Sequence, residues 1–446
     1  MGKNKKRREV LSASGSSVII LPDKFLEMLV DAAGEERAKI VSDAIMTTPA
    51  ELSVRMNPAK RPFDLKYSFE ADKRVPWCED GCYLSQRPDF TLDPLLHAGA
   101  YYVQESSSMF IAMLGPILKN FNSETILDLC AAPGGKSTHL ASLMPPSAFL
   151  YSNEVIKSRV GVLNENMAKW GNSSVKVISR DPSWFRERIS GSSKTNDNLP
   201  DKFDFILVDA PCSGEGMFRK DPGSVAGWSE ELVHMCAARQ RRIMSDIWDS
   251  LAYGGFLAYS TCTFNRYEND LNVAWFKSEL GAQLFSLEEY YSDDFISLLT
   301  EWGVVKSPEG GYQFFPGIVK GEGFYFVLLR KPASNGGVKS ANRNVRAGGD
   351  TRSVAVRDAR KGLTKIGGIP DHNIALLANY DAQWPSYELS RADALKYLSR
   401  QSFKLIDAPV GYIRLTYKGL GLGFANNLGS RINNLYPVNW RIRKQW

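Results

Sequence analysis

Between about residue 124 and residue 330 the chain repeats one pattern: an apolar run of strand length, a turn, then a helical stretch. No other feature limits the fold as much. Strands separated by helices pair most simply as parallel neighbours, with the helices covering the faces of the sheet. The strand segments are Ser123–Cys130, Phe149–Glu154, Val175–Ile178, Phe203–Asp209 and Phe256–Ser260, with Phe324–Arg330 closing the series. A helix is predicted from about Lys136, and loops at 191–201 and 213–229 interrupt the alternation. The predicted class is α/β, a doubly wound, mostly parallel sheet spanning residues 121–332.

Different sequence flanks this core. Residues 1–20 are basic, then serine-rich, and read as a mobile tail. Order is expected from Leu21–Asp23, a helix start whose apolar periodicity runs to about Val41. Residues 21–120 also carry Pro58, Pro62, Pro76, Pro88 and Pro94 among short apolar runs, the mark of an irregular α+β region. Residues 333–351 are rich in Gly, Ser, Asn and Arg and read as a linker, leaving 352–446 as a smaller basic module. No stretch approaches the roughly eighteen apolar residues of a membrane span. The start lacks the apolar segment of a secretory signal, and six cysteines make no disulfide scaffold. A monomer in reducing cytoplasm is the expectation. The net charge of +6 conceals an asymmetry. Residues 331–446 hold 19 Lys and Arg against 7 Asp and Glu, residues 1–9 hold five bases and one acid, and the body between carries −10. Basic ends on an acidic body suit a polyanion such as nucleic acid, although a merely solvated surface fits the charge alone.

The chemistry concentrates at the strand ends. Cys130-Ala131-Ala132-Pro133-Gly134-Gly135-Lys136 lies where the first strand turns into a helix, and a helix start of this kind offers unpaired N–H groups to a ligand. A nucleotide P-loop is excluded, because Cys130 stands where its first glycine is required and Pro133 stiffens the loop. Glu154, Asp181 and Asp209 end successive strands, at the edge where open parallel sheets bind ligands. One such acid is commonly a helix cap, but three beside a small-residue loop point to a nucleoside-bearing cofactor. Cys212 and Cys262 follow the fourth and fifth strands at that same edge. A thiolate nucleophile needs an electropositive, accessible niche, for which Lys136, Arg219 and Lys220 are candidates. No metal site is expected: Cys78 and Cys82 lack a second pair and the four histidines are scattered. Gly419–Gly423 lacks the third glycine of a dinucleotide motif and reads as a β-turn region.

These motifs resemble the S-adenosylmethionine-dependent RNA cytosine-5 methyltransferases of the Nop/Sun type, and most closely their RsmF-like branch, which acts on 16S ribosomal RNA. Leu21–Phe25, Arg55–Asn57 and Ala98–Glu105 resemble that family's N-terminal region, and Cys130–Lys136 its cofactor loop. Asp209–Gly214 and Ser260–Thr263 resemble its two cysteine motifs, and Gly423–Gly429 with Asn434–Pro437 and Trp440 its terminal RNA-binding module. The stretch 191–201 is longer than the family's usual connection.

The resemblance implies a Rossmann-like class I methyltransferase domain, an RNA-binding region over 21–120 and a PUA-like RNA-binding module over 352–446. It implies S-adenosylmethionine as cofactor and S-adenosylhomocysteine as product, with RNA of the small ribosomal subunit as partner. Cys262 would be the nucleophile, Cys212 would assist release, and Asp209 would bind the cytosine edge or the cofactor. Cys130, Ala131, Ala132, Pro133, Gly134, Gly135 and Lys136 would hold the methionine tail, Glu154 the ribose and Asp181 the adenine. The alternatives are a tRNA cytosine-5 methyltransferase, a DNA or small-molecule methyltransferase, and a catalytically silent RNA-binding assembly factor.

Overall fold

The structure is a computed structural model that describes residues 19–62, 65–191, 199–291, 293–333, 368–381 and 383–446. The expected tail up to residue 18, positions 334–367 and positions 192–198 lie outside the described residues. The chain divides into two compact units, one of Leu52–Asp209, Asp246–Ala258 and Arg330–Trp446, the other of Met1–Glu51, Ala210–Ser245 and Tyr259–Leu329.

The first unit begins with strands β1 (Ser53–Met56), β2 (Ala71–Val75), β3 (Cys78–Leu84) and β4 (Tyr101–Val103), an antiparallel sheet in the order β2-β3-β1-β4. The parallel strands follow as β5 (Thr125–Asp128), β6 (Phe149–Asn153), β7 (Val175–Ile178) and β8 (Phe203–Asp209), and β9 (Leu251–Thr261) lies beside β8. Their order is β9-β8-β5-β6-β7. The register sets Ile126 against Leu150 on one side and Phe205 on the other. Phe205, Ile206, Leu207 and Val208 are all fully buried, as a strand covered on both faces requires. From β5 the chain winds outward through β6 and β7, then returns past β5 to lay down β8. The winding direction therefore reverses between β5 and β8, and ligands bind beyond the carboxyl ends of strands at such a reversal. Asp128 and Asp209 end those two strands.

Strand β9 starts five residues before the segment read from the sequence, at Leu251 rather than Phe256. The sequence signal is weak there because Gly254 and Gly255 interrupt the apolar run. The C-terminal module forms a four-stranded sheet of Ser386–Glu388, Gly411–Tyr417, Leu420–Asn427 and Ile432–Asn434. Gly419 turns this hairpin, whereas Gly421 and Gly423 belong to its second strand. A Cβ on Gly421 would fall 1.9 Å from the Ala375 carbonyl oxygen, so close packing requires glycine there. One hydrophobic core serves this module and the N-terminal sheet: Val54, Leu95 and Tyr101 cluster with Leu395, Leu415 and Tyr436.

In the second unit the helical segment expected from Asp23 to about Val41 is two helices, Asp23–Ala33 and Glu35–Thr47. Gly34 divides them with φ 80°, a left-handed conformation that breaks the helical path. Phe25, Met28, Leu29 and Ala33 share one helical face. Phe25 packs at 5.1 Å from the Phe218 ring and 5.7 Å from Trp228, in a core that includes Phe264 and Phe315. Phe218 and Trp228 follow Cys212 in the chain, and Phe264 follows Cys262. Among the described residues no helix is long and apolar enough to cross a membrane.

Candidate active site

In the first unit, the turn from β5 into the helix Gly135–Leu143 is held by side chains from the next strand and helix. Asn153 receives the Arg180 N–H at 2.8 Å and donates to the carbonyls of Leu129 and Arg180, while its own carbonyl accepts from Ala131 at 2.8 Å. Asn166 donates to the Pro133 carbonyl at 2.7 Å and Arg159 donates to that of Ala132. Gly134 adopts φ 116°, and a Cβ there would crowd Asn166 at 3.3 Å. The loop is therefore fixed with small residues lining it.

Four acids and two cations stand on the segments that form or adjoin this loop. Lys136 pairs with Asp209 at 2.9 Å, so its charge answers that strand-end carboxylate. Glu154 is almost fully buried; it accepts the Ile156 N–H at 2.8 Å and lies 3.4 Å from Arg159. Asp181 is exposed and caps the helix Pro182–Ile189 by accepting the Ser183 N–H at 3.0 Å. Asp128 is fully buried, accepts from Ser137 at 2.6 Å, and has a second oxygen with no hydrogen-bond partner. Burial, with the Asp209 charge adding to it, raises its carboxyl to about 7. Asp128 was not singled out from the sequence, because the apolar run continues to Cys130 and only the fold shows that the strand ends at Asp128. Cys130 is held as the thiol, its pKa raised well above the ordinary value by burial and then by Asp128, Asp209 and Glu154.

A buried acid with an orphaned oxygen gives a testable pH dependence. Between its ordinary value of 3.8 and about 7, the folded protein keeps a proton on Asp128 that the unfolded chain has lost. The penalty for ionising Asp128 in the fold therefore grows as pH rises through that window and is complete above it. Asn carries no such penalty. Relative to the natural protein, Asp128→Asn should gain stability from pH 4 to pH 8, by up to about 4 kcal/mol. Urea unfolding of both proteins without cofactor measures the difference, and a gap constant with pH would contradict the assignment.

In the second unit, Cys212 and Cys262 meet with their sulfur atoms 3.2 Å apart. Both are half-buried. Backbone bonds join their loops, Ala210 N–H to the Ser260 carbonyl and Gly216 N–H to that of Cys262, each at 2.8 Å. A Cβ on Gly216 would lie 2.7 Å from the Gly323 carbonyl and 2.8 Å from that of Cys262, so this approach needs glycine. Each loop also carries a buried carboxylate that grips the other. Glu215, from the Cys212 loop, accepts the N–H groups of Phe264 and Asn265 at 2.7 and 3.0 Å. Glu268, beyond Cys262, accepts the Ser213 N–H at 3.0 Å and the Gln240 amide at 2.7 Å. Asn265 donates to both acids at 2.9 Å. The loops are thus mutually braced, independently of the thiols.

The expected cationic niche takes a different form. Arg219 is buried in a two-pronged pair with Glu322 at 2.8 and 2.9 Å and also donates to Thr48, while Lys220 is exposed. The Cys212 pKa is raised well above the ordinary value, first by its hydrogen bond with Cys262, then by burial, with the Glu268 charge contributing. Cys212 is therefore held as the thiol in the resting site. Burial and then Glu215 raise Glu268 to about 7. Sequence reading passed over Glu215, Glu268 and Asn265, because an acid or amide in a loop carries no mark of being buried.

Comparison with known proteins matches three stretches of the chain. Residues 116–330 match the family described as 16S rRNA methyltransferase RsmB/F, residues 21–106 the N-terminal domain of 16S rRNA methyltransferase RsmF, and residues 385–442 the RsmF PUA domain. The chain is 34% identical over 330 residues to the ribosomal RNA small subunit methyltransferase F of Cronobacter sakazakii, covering 71% of this chain and 64% of that protein. It is 28% identical to the protein of the same name from an Enterobacter species, covering 94% and 95%. The chain thus spans just under two thirds of the first relative and nearly all of the second. A crystal structure of a methyltransferase homologue from Pyrococcus horikoshii superposes with a TM-score of 0.53 at 26% identity, covering 68% of this chain and 93% of that one.

Proposed function

Because the chain belongs to the RsmF-like family of 16S rRNA methyltransferases, we propose that it methylates C5 of a cytosine in small-subunit ribosomal RNA. The observation that carries this reading is the cross-braced thiol pair, with sulfur atoms at 3.2 Å. C5 of cytosine is a poor nucleophile, and two adjacent thiols suit a reaction needing both a nucleophile and a proton acceptor.

Cys262 adds to C6 as its thiol proton passes to N3: the S–C6 bond forms, the C5–C6 double bond opens, and C5 becomes enamine-like. S-adenosylmethionine supplies the methyl group that C5 takes, and S-adenosylhomocysteine leaves. The residues present suit that cofactor: a fixed small-residue loop at a helix start, and a buried Asp128 oxygen without a partner. Residues 130–136 would hold the methionine tail, with Glu154 for the ribose and Asp181 for the adenine. Asp209, held by Lys136, would accept hydrogen bonds from the cytosine edge. The reacting base has to leave any stack, so an unpaired or flipped cytosine is the substrate form. The basic terminal sequence would supply attraction to phosphates.

The test offers labelled S-adenosylmethionine with small-subunit ribosomal RNA, assembled small subunits, tRNA and DNA. Incorporation into the ribosomal substrate, mapping by bisulfite sequencing to a cytosine, is the expected result. Label on tRNA alone would overturn the target. No incorporation into any RNA would return the chain to the reading of a silent RNA-binding factor.

A further inference from the structure

The cofactor loop is held by a buried cation that forms no ion pair with a carboxylate among the described residues, although the Asp80 charge acts on it from further off. Arg55, on β1, is 1% exposed. Its Nε donates to the Gln104 side-chain oxygen at 2.8 Å, and its Nη2 donates to Thr138 Oγ1 at 2.7 Å and to the Gly135 carbonyl at 3.3 Å. The guanidinium lies 4.3 Å from the centre of the Trp170 ring. Nη1 is buried with no hydrogen-bond partner, and no carboxylate pairs with Arg55 among the described residues. Gly135 and Thr138 form the first turn of the helix that follows the loop.

That placement is unfavourable on two counts. A buried charge without a directly paired carboxylate is costly, and the positive end of a helix disfavours a nearby cation. A neutral side chain would join β1 to the helix at lower cost. The same two features together create a positive potential at the loop, as an anionic ligand group requires.

We propose that Arg55 is a positioning residue of the cofactor site: it braces the first turn of the loop helix and adds positive potential for the carboxylate of the bound amino-acid tail. This rests on the reading that the loop takes S-adenosylmethionine. The N-terminal sheet then serves the cofactor as well as whatever RNA it meets.

The test measures binding of two ligands without RNA, by calorimetry. S-adenosylhomocysteine carries the amino-acid carboxylate; 5′-methylthioadenosine has the same nucleoside and thioether without it. Arg55→Met, which keeps the stem over Trp170, should weaken S-adenosylhomocysteine about tenfold, or 1.4 kcal/mol, and leave methylthioadenosine within about twofold. Arg55→Lys should recover part of the loss. Should Arg55→Met not fold, Thr138→Val carries the test, since it removes the acceptor on the helix and should show the same selective loss. Equal weakening of both ligands would reduce Arg55 to a packing role, and no weakening of either would overturn the proposal outright. A natural protein that bound neither ligand would instead overturn the cofactor reading itself.

Discussion

Cys262→Ala should abolish methyl transfer, by about 10⁴-fold or more, while S-adenosylhomocysteine binds as before. The size follows from the chemistry. Without a sulfur at C6, cytosine C5 never becomes enamine-like, and positioning alone offers no substitute for a missing nucleophile. The selectivity follows from the construction of the site. The braces that hold the Cys262 loop are Glu215 on the Phe264 and Asn265 N–H groups and the Gly216 N–H on the Cys262 carbonyl, and none involves the Cys262 side chain. Alanine deletes one sulfur and one weak hydrogen bond, so thermal stability should fall by about 1 kcal/mol or less. Initial rates with labelled cofactor measure the first effect and calorimetry the second. Turnover within tenfold of the natural protein would remove Cys262 from the nucleophile role.

How much of this was legible beforehand depended on whether a residue's function leaves a mark in its neighbours. The parallel strands were legible because burial on both faces demands continuous apolar runs, as in Phe205 to Val208. The strand-end acids and both cysteines were legible because small-residue turns surround them. The braces were not. Glu215 and Glu268 read as ordinary loop acids, and only the fold reveals that each accepts backbone N–H groups of the opposite loop. Arg55 could be quoted as part of a motif, yet its link to Thr138 joins residues 83 positions apart. The core that joins Val54 to Tyr436 spans nearly the whole chain, and no local pattern announces such a partnership. Gly34 shows the opposite limit: the apolar periodicity continues across it, so the pattern read as one helix although the backbone turns there.

The hydrogen bond between the two thiols leads to the other large expected effect. In the resting site the strongest influence raising the Cys212 pKa is its hydrogen bond with Cys262. Once the Cys262 sulfur is bonded to C6 it is a thioether and a poor partner, so that influence is lost. Cys212, half-buried, would then release its proton to solvent and be able to act as a base. In the proposed reaction Cys212 would take the C5 proton after methylation as the S–C6 bond breaks, its electrons returning to Cys262 and the C5–C6 double bond re-forming. Removing that base leaves addition and methylation possible but stalls release. Cys212→Ala should therefore trap a covalent protein–RNA species, stable on a denaturing gel and dependent on Cys262. Multiple turnover should fall by about 10²-fold or more, the usual contribution of a positioned base, while a single round of methyl transfer survives. The loops should keep their arrangement, because Glu268 holds the Ser213 N–H whatever side chain precedes it. The double variant with Cys262→Ala should show no adduct. If Cys212→Ala alone shows none under turnover conditions, or turns over within tenfold of the natural protein, the proton leaves C5 by another route and Cys212 only supports its neighbour.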